Sequence, residues 1–329
     1  TPMKKLLLAT AIAALSVSAA QAAPTIYGKA FVTMDYVNTD NGNEDSDSVQ
    51  INSNSSRIGF KGSEAITANT DVIYQLEYGI DIDNDAKDNF KNRDTYLGLN
   101  NKTYGQFRFG HNQSTTDYVN NVLVSDAYFD NLSDFMADSG RIKNSVVWLA
   151  PKYQGLPLQI AAMYAADETS VEDSSDRNSG FGVSAMFDQG TGFTAGLAYD
   201  KDVNITGDII RGSATVDLGK YMAAPVTLGA LYQVADYDDT SEDEKGLLVS
   251  AALALSNFAK PASVYAQYNT TSDVGGEENV DADQIVVGGK YFYQPNMIAH
   301  AYAGANTIEE PGSDDRDEFA IGGGLEYKF

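Results

Sequence analysis

The side chains in this sequence that could do chemistry are charges rather than nucleophiles and bases. The 329 residues include two histidines and no cysteine. Neither His111 nor His300 sits in a motif joining a base to a nucleophile and an orienting carboxylate, which argues against an enzyme. The missing cysteines exclude a disulfide scaffold and a thiolate metal site. What remains is a set of cations at alternating positions. Arg57 and Lys61 share one face with Gly59, opposite Ile58 and Phe60; Lys29 shares one with Thr33 and Asp35, opposite Val32, Met34 and Tyr36; Arg108 shares one with Gln106, opposite Phe107 and Phe109. A long polar connection from Asn112 to Gly140 offers Asp126, Asp130, Asp134 and Asp138, four positions apart. Opposed charges of this kind orient water and polar solutes without covalent chemistry.

The elements that must position these charges alternate polar and apolar residues with a period of about 2, the signature of strands with two unlike faces. Ile210, Gly212, Ala214, Val216 and Leu218 fall on one face and Arg211, Ser213, Thr215 and Asp217 on the other. The last segment sets Phe319, Ile321, Leu325, Tyr327 and Phe329 against Glu326 and Lys328. The pattern predicts strands near 24–37, 49–63, 70–82, 91–101, 105–113, 141–152, 157–167, 178–189, 193–203, 209–220, 225–236, 246–256, 262–272, 283–293, 297–308 and 318–329, sixteen in all. Short connections, such as Gln294 to Asn296, alternate with long acidic ones, such as Asn38 to Ser48 and Tyr237 to Lys245. That asymmetry, and 20 Tyr and 14 Phe available for girdles at two interfaces, fit an antiparallel barrel crossing a membrane with its apolar residues in lipid and its cations in a watery lumen. A soluble β-sandwich is the competing fold; it does not account for the leader and the rhythm of the connections together.

Thr1 and Pro2 read as a cloning remnant, and residues 3–22 as a signal peptide: Met3, Lys4, Lys5, an apolar run through Ala20, and the small-x-small triplet Ala20-Gln21-Ala22 ahead of cleavage. The expected mature chain, 23–329, is one barrel domain. Losing Lys4 and Lys5 leaves 20 basic side chains against 46 acidic, a formal charge of −26 that argues against nucleic acid as a partner.

Three segments resemble the general diffusion porins of Gram-negative outer membranes: Ile26-Tyr27-Gly28-Lys29; Ser56 through Glu64 (SRIGFKGSE) followed by Gln75-Leu76-Glu77-Tyr78; and Arg93 through Gly110, with Tyr96-Leu97-Gly98-Leu99 and Tyr104-Gly105-Gln106-Phe107-Arg108-Phe109 inside it. The resemblance implies a homotrimer of sixteen-stranded barrels in the outer membrane, each with its third loop (about 112–140) folded into the lumen as a constriction. It also implies a passive channel for small hydrophilic solutes and ions, with no cofactor. Carried over by resemblance, the constriction sets Asp130 and Asp134 against Lys29, Arg57, Arg93 and Arg141, with Lys61 and Arg108 as further lumen residues. After Phe135 the family pattern continues with two glycines, where this chain has Met136 and Ala137.

Opposed charges about 8 Å apart interact by only ~0.5 kcal/mol in bulk water. In an eyelet narrower than the ~8 Å Debye length, with low-dielectric walls, their transverse field survives. The remaining acid is concentrated in the external connections, which predicts a modest preference for cations and allows lipopolysaccharide or loop-bound Ca²⁺ or Mg²⁺ as partners. A narrower, substrate-selective channel and a non-conducting adhesin or structural barrel are the alternatives.

Overall fold

The structure is a computed structural model that describes residues 23–329 apart from 43, 84–88, 130–131, 139, 153–155 and 168–178, and omits the side chain of Asp134. The expected signal peptide therefore lies outside the described residues.

The chain forms antiparallel strands Thr25–Asp40 (β1), Asp45–Ser53 (β2), Arg57–Ala65 (β3), Thr70–Ile80 (β4), Phe90–Asn101 (β5), Gly105–Gln113 (β6), Arg141–Leu149 (β7), Leu158–Ala165 (β8) and Gly180–Asp188 (β9). It continues with Phe193–Lys201 (β10), Gly207–Asp217 (β11), Val226–Tyr237 (β12), Asp243–Leu255 (β13), Ala262–Ser272 (β14), Asp281–Gln294 (β15), Met297–Glu309 (β16) and Arg316–Lys328 (β17). Each strand pairs with its sequence neighbour except that β2 and β3 both pair with β1 rather than with each other, and β1 pairs with β17, so the sheet closes on itself. Both β2 and β3 pair with β1 and act as halves of one barrel strand, giving a closed barrel of sixteen. Closure matters because a backbone N–H or C=O facing hydrocarbon has no water to turn to, and only a sheet without edges satisfies all of them.

The predicted strand 49–63 is broken at Asn54-Ser55-Ser56, where Ser55 takes φ 51°. Side chains and the bent backbone repair the ladder. Ser56 Oγ accepts from Phe31 N (3.0 Å) and donates to Phe31 O (3.1 Å), Asn54 N donates to the same carbonyl (2.9 Å), and Asn54 Nδ2 donates to Thr33 Oγ1 (2.9 Å). Two serines in the middle of a strand look like turn chemistry; here one of them replaces a missing rung.

Two connections expected to be long loops, Asn38 to Ser48 and Tyr237 to Lys245, are shortened by strand to the turns 41–44 and 238–242. β1 and β2 stay paired out to Asp40 and Asp45, and β12 and β13 out to Asp236 and Asp243. Beyond the hydrocarbon a strand carries polar residues on both faces without penalty, so Ser, Asp and Asn runs that read as loops extend the wall into water. The face assignment follows the predicted parity: Ile210 is 52% exposed and Arg211 0%. Along β17, Phe319, Ile321, Leu325 and Tyr327 point outward while Glu326 is buried. The outward apolar residues form the lipid surface, and the inward polar ones line the lumen.

Candidate functional site

The inner wall holds its predicted cations, but closely countered by carboxylates on neighbouring strands. Lys29 on β1 is the register partner of both Arg57 on β3 and Lys328 on β17. Glu77 on β4, buried, accepts from Arg93 Nε at 2.6 Å and from the Tyr27 hydroxyl at 2.9 Å, and stands 3.9 Å from Arg57. Arg141 Nε donates to Asp94 Oδ1 at 2.8 Å. Arg108 lies over the Tyr96 ring and Lys61 over the Tyr27 ring, with centroid distances of 4.7 and 4.9 Å. Lys29, Arg57, Arg93 and Arg141 thus line one sector of the wall, joined by Glu77 and Asp94. Glu77 stood within the recognised sequence segments; its pairing across strands is what the sequence does not display.

The connection between β6 and β7 crosses to the opposite wall. At its start Thr115 and Thr116 donate to the buried Asp200 carboxylate of β10, Thr116 at 3.2 Å. Further on, Ser250 Oγ donates to Val122 O (2.6 Å) and Val124 N donates to Gln267 Oε1 (3.1 Å). Phe129 packs with Tyr302 so closely over Gly304 that a Cβ there would stand 2.7 Å from the ring; glycine is what lets the loop lie on the wall at this point. Asp126 forms an ion pair with Lys290 of β15. The contacted strand positions all belong to the buried, lumen-facing parity.

The loop returns through Met136 and Ala137, the two residues that depart from the family's glycines. Both are buried: Met136 fills space over Gly246 and packs with Leu231 and Leu248. Ala137 N donates to Glu244 Oε1 (2.6 Å), and its carbonyl accepts from Gln233 Nε2 (2.5 Å) and Arg211 Nη2 (3.2 Å). Arg211 also donates to Thr116 O (3.4 Å), Gln233 Oε1 (2.7 Å) and Asp138 Oδ1 (3.2 Å), holding both ends of the loop at once. Beside it, burial and then the Asp138 charge push the loop carboxyl of Asp117 up to about 7, against the pull of Arg211 and Arg141. Asp130 and the side chain of Asp134 lie outside the described residues. His300, placed in the lumen by its parity, meets Glu326 at 2.9 Å, and His111 Nδ1 lies 2.7 Å from Arg93 O; neither stands with a nucleophile. Among the described residues no group of three or more acids and histidines is arranged to hold a metal ion.

A family model described as Gram-negative porin matches residues 8–312. The chain belongs to that family. Porins are passive channels of the outer membrane, not enzymes, and this porin shares their location and architecture. It is 24% identical over 386 residues to outer membrane protein S2 of Salmonella typhi, covering 98% of this chain and 96% of the relative. The anion-selective porin of Comamonas acidovorans has the same fold, with a TM-score of 0.74 at 16% identity, covering 94% of this chain and all of that one. So does the trimer form of OmpT from Vibrio cholerae, with a TM-score of 0.62 at 15% identity, covering 94% and 99%.

Proposed function

We propose that this porin is a general diffusion channel for small hydrophilic solutes and ions, working as a homotrimer, with a modest preference for cations. The observation that carries the reading is the loop between β6 and β7. It leaves the wall near Arg93 and Arg141 and contacts the inward face of β10 through β16, resting partly on apolar residues such as Leu231 and Leu248, and narrows the lumen. Asp130 and Asp134, on the part of that loop between Phe129 and Phe135, are the acidic side of the eyelet in this reading, and Lys29, Arg57, Arg93 and Arg141 the basic side.

Two opposing fields set the selectivity. Acid at the outer rim, including Asp238, Asp239, Glu242, Glu309, Glu310, Asp314 and Asp315, concentrates cations at the mouth. The basic sector of the wall acts the other way, and an anion-selective porin shares the fold. The rim prevails in this reading because Glu77 and Asp94 already neutralise much of the arginine charge. Trimer assembly is supported by the outward stripe Ala299, Ala301, Ala303 and Ala305 on β16, which allows close packing of subunits.

The test is planar-bilayer conductance of the refolded protein with reversal potential in a KCl gradient. It compares the native chain with Glu77→Gln and with the double variant Asp130→Asn/Asp134→Asn. The reading expects current steps closing in threes, a potential of cation sign, and a shift toward chloride in both variants. A correctly folded barrel that passes no current would sink the channel reading, and an anionic potential in the native chain would sink the cation preference.

A further inference from the structure

The short connections at the end of the barrel opposite the acidic rim have a charge character of their own. Seven of them, 66–69, 102–104, 150–157, 189–192, 218–225, 256–261 and 295–296, contain Lys102, Lys152, Lys220 and Lys260 and neither aspartate nor glutamate. Tyr153, Gln154 and Gly155 lie outside the described residues and bring no charge to this end. Among the described residues none of the four lysines forms an ion pair.

Two of these lysines, Lys102 and Lys152, open onto one cavity of about 630 Å³ at the foot of β6 to β9. That volume lies in the range of small-molecule sites, roughly 300–1,000 Å³. The cavity faces the lumen: Gln106 has the inward parity of β6, and Leu149, Gln159 and Met186 stand two positions from the buried Val147, Ala161 and Ser184 on their strands. Its lining is of two kinds. Leu149, Pro151, Leu156, Pro157 and Met186 are apolar, and Leu156 is 44% exposed, so a solute covering it removes apolar surface from water. Asn100, Asn101, Gln106 and Gln159 supply amides.

The local charges select the solute. Lys102 Nζ donates to the neutral carbonyl of Ala68 at 2.7 Å, and Lys152 has no polar partner among the described residues. Arg108 also reaches the cavity, but its Nε bonds Gln106, its Nη1 lies 3.4 Å from the Tyr118 hydroxyl, and its plane rests on Tyr96. Asp188 is the carboxylate in the lining and accepts from Gly190 N at 2.7 Å; Asp71 stands beside Asn100 in register on β4, just outside it. With Asp71 counted, three cations face two carboxylates, a balance that suits a solute with one negative charge.

We propose that this cavity binds small amphipathic monocarboxylates, organic acids with a compact apolar body. Lys102 and Lys152 take the carboxylate, the amides of Asn100, Gln106 and Gln159 take further polar groups, and Leu149, Pro151, Leu156 and Met186 take the body. The inference rests on the channel reading above. The site lies across the loop between β6 and β7 from the acidic rim, so it holds a solute that has passed the constriction or that arrives from the periplasm.

Benzoate, added to single channels recorded in KCl at pH 7.5, is the probe. Acetate, with the charge and little body, and benzyl alcohol, with the body and no charge, are the comparisons. The proposal expects a saturable reduction of current by benzoate, a midpoint about fivefold higher in Lys152→Gln, and far weaker effects of the other two. Lys152 is exposed on its turn, so its replacement is compatible with folding, and Lys260→Gln, on the turn between β13 and β14, leaves the midpoint unchanged. Saturation transfer from the protein to the benzoate ring protons, read by NMR, needs no current and weakens in Lys152→Gln. Conducting channels that show neither block nor transfer would overturn the proposal and leave the channel reading intact, as would equal effects in the native chain and Lys152→Gln. Block relieved by Arg57→Gln instead would place the acid at the eyelet and overturn the site. Equal potency of acetate would overturn the role of the apolar wall. A folded barrel that passes no KCl current, yet transfers saturation to benzoate through Lys152, would remove the channel reading and keep the site.

Discussion

Replacing Arg211 with Met should release the loop from the wall without opening the barrel. Arg211 is fully buried and donates to Thr116 O, Ala137 O and Asp138 Oδ1, joining the two ends of the loop to β11. Methionine keeps most of the aliphatic volume and none of the donors. Gln233 still bonds the Ala137 carbonyl at 2.5 Å, but Asp138 is left without its partner. Breaking a buried charge pair from one side costs about 3–5 kcal/mol; the low end applies here because Asp138 keeps some contact with water and other anchors survive, Gln233 and Glu244 at Ala137 among them. About 3 kcal/mol is roughly a hundredfold in the docking equilibrium. The chain has no cysteine, so Ala137→Cys introduces a single thiol at the anchor itself, where the side chain packs with Ile209 and Ala235. The rate at which a small charged thiol reagent modifies it should rise by that factor when Arg211→Met is added, while circular dichroism of the barrel is unchanged. A rise below about threefold would refute the view that Arg211 holds the loop.

Ser56→Ala removes the side chain that caps Phe31 N at the break in the second barrel strand, and should cost about 1–3 kcal/mol in a reversible urea titration, more than Ser53→Ala beside it. Leu197→Arg puts a charge on the lipid face in the middle of β10, where Leu197 is among the most exposed apolar side chains; the expected loss of stability in vesicles is ~2–4 kcal/mol. Asp117 gives the pH dependence. Its carboxyl is raised in the docked loop, so the docked state holds the proton that the released state gives up. Docking is therefore strongest at low pH, weakens as pH rises from about 4 through 7, and is level above that. Open-channel current noise should follow this course in the native chain and stay flat in Asp117→Asn.

The barrel was legible because each strand writes its two environments directly into the chain. Ile210 beside Arg211 and Leu325 beside Glu326 are one rule repeated, and parity alone assigned Lys29, Arg57, Lys61 and Arg108 to the lumen. Strand ends were less legible in one direction only. Where the wall leaves lipid, at Asp40–Asp45 and Asp236–Asp243, the outward face ceases to be apolar and the period disappears while the ladder continues. The break at Asn54–Ser56 was hidden for the opposite reason: its flanks keep their alternation, and the compensating bonds go to Phe31, more than twenty residues away.

The pairings that set the field were least legible, because register across the barrel is not a property of any one segment. Glu77 could be seen near Arg57 and Arg93 in the sequence, but its 2.6 Å bond to one and 3.9 Å distance to the other depend on the bulge between Leu76 and Tyr78. Lys290 and Asp126 are 164 positions apart, and Lys29 meets Lys328 only because the ends of the chain close the ring. Counting charges along the chain gives a strongly acidic molecule. Placing them gives an acidic rim around a wall that gathers Lys29, Arg57, Arg93 and Arg141 in one sector, with Glu77 and Asp94 among them. A solute therefore meets two fields of opposite sign in sequence, so net charge cannot by itself rank what passes.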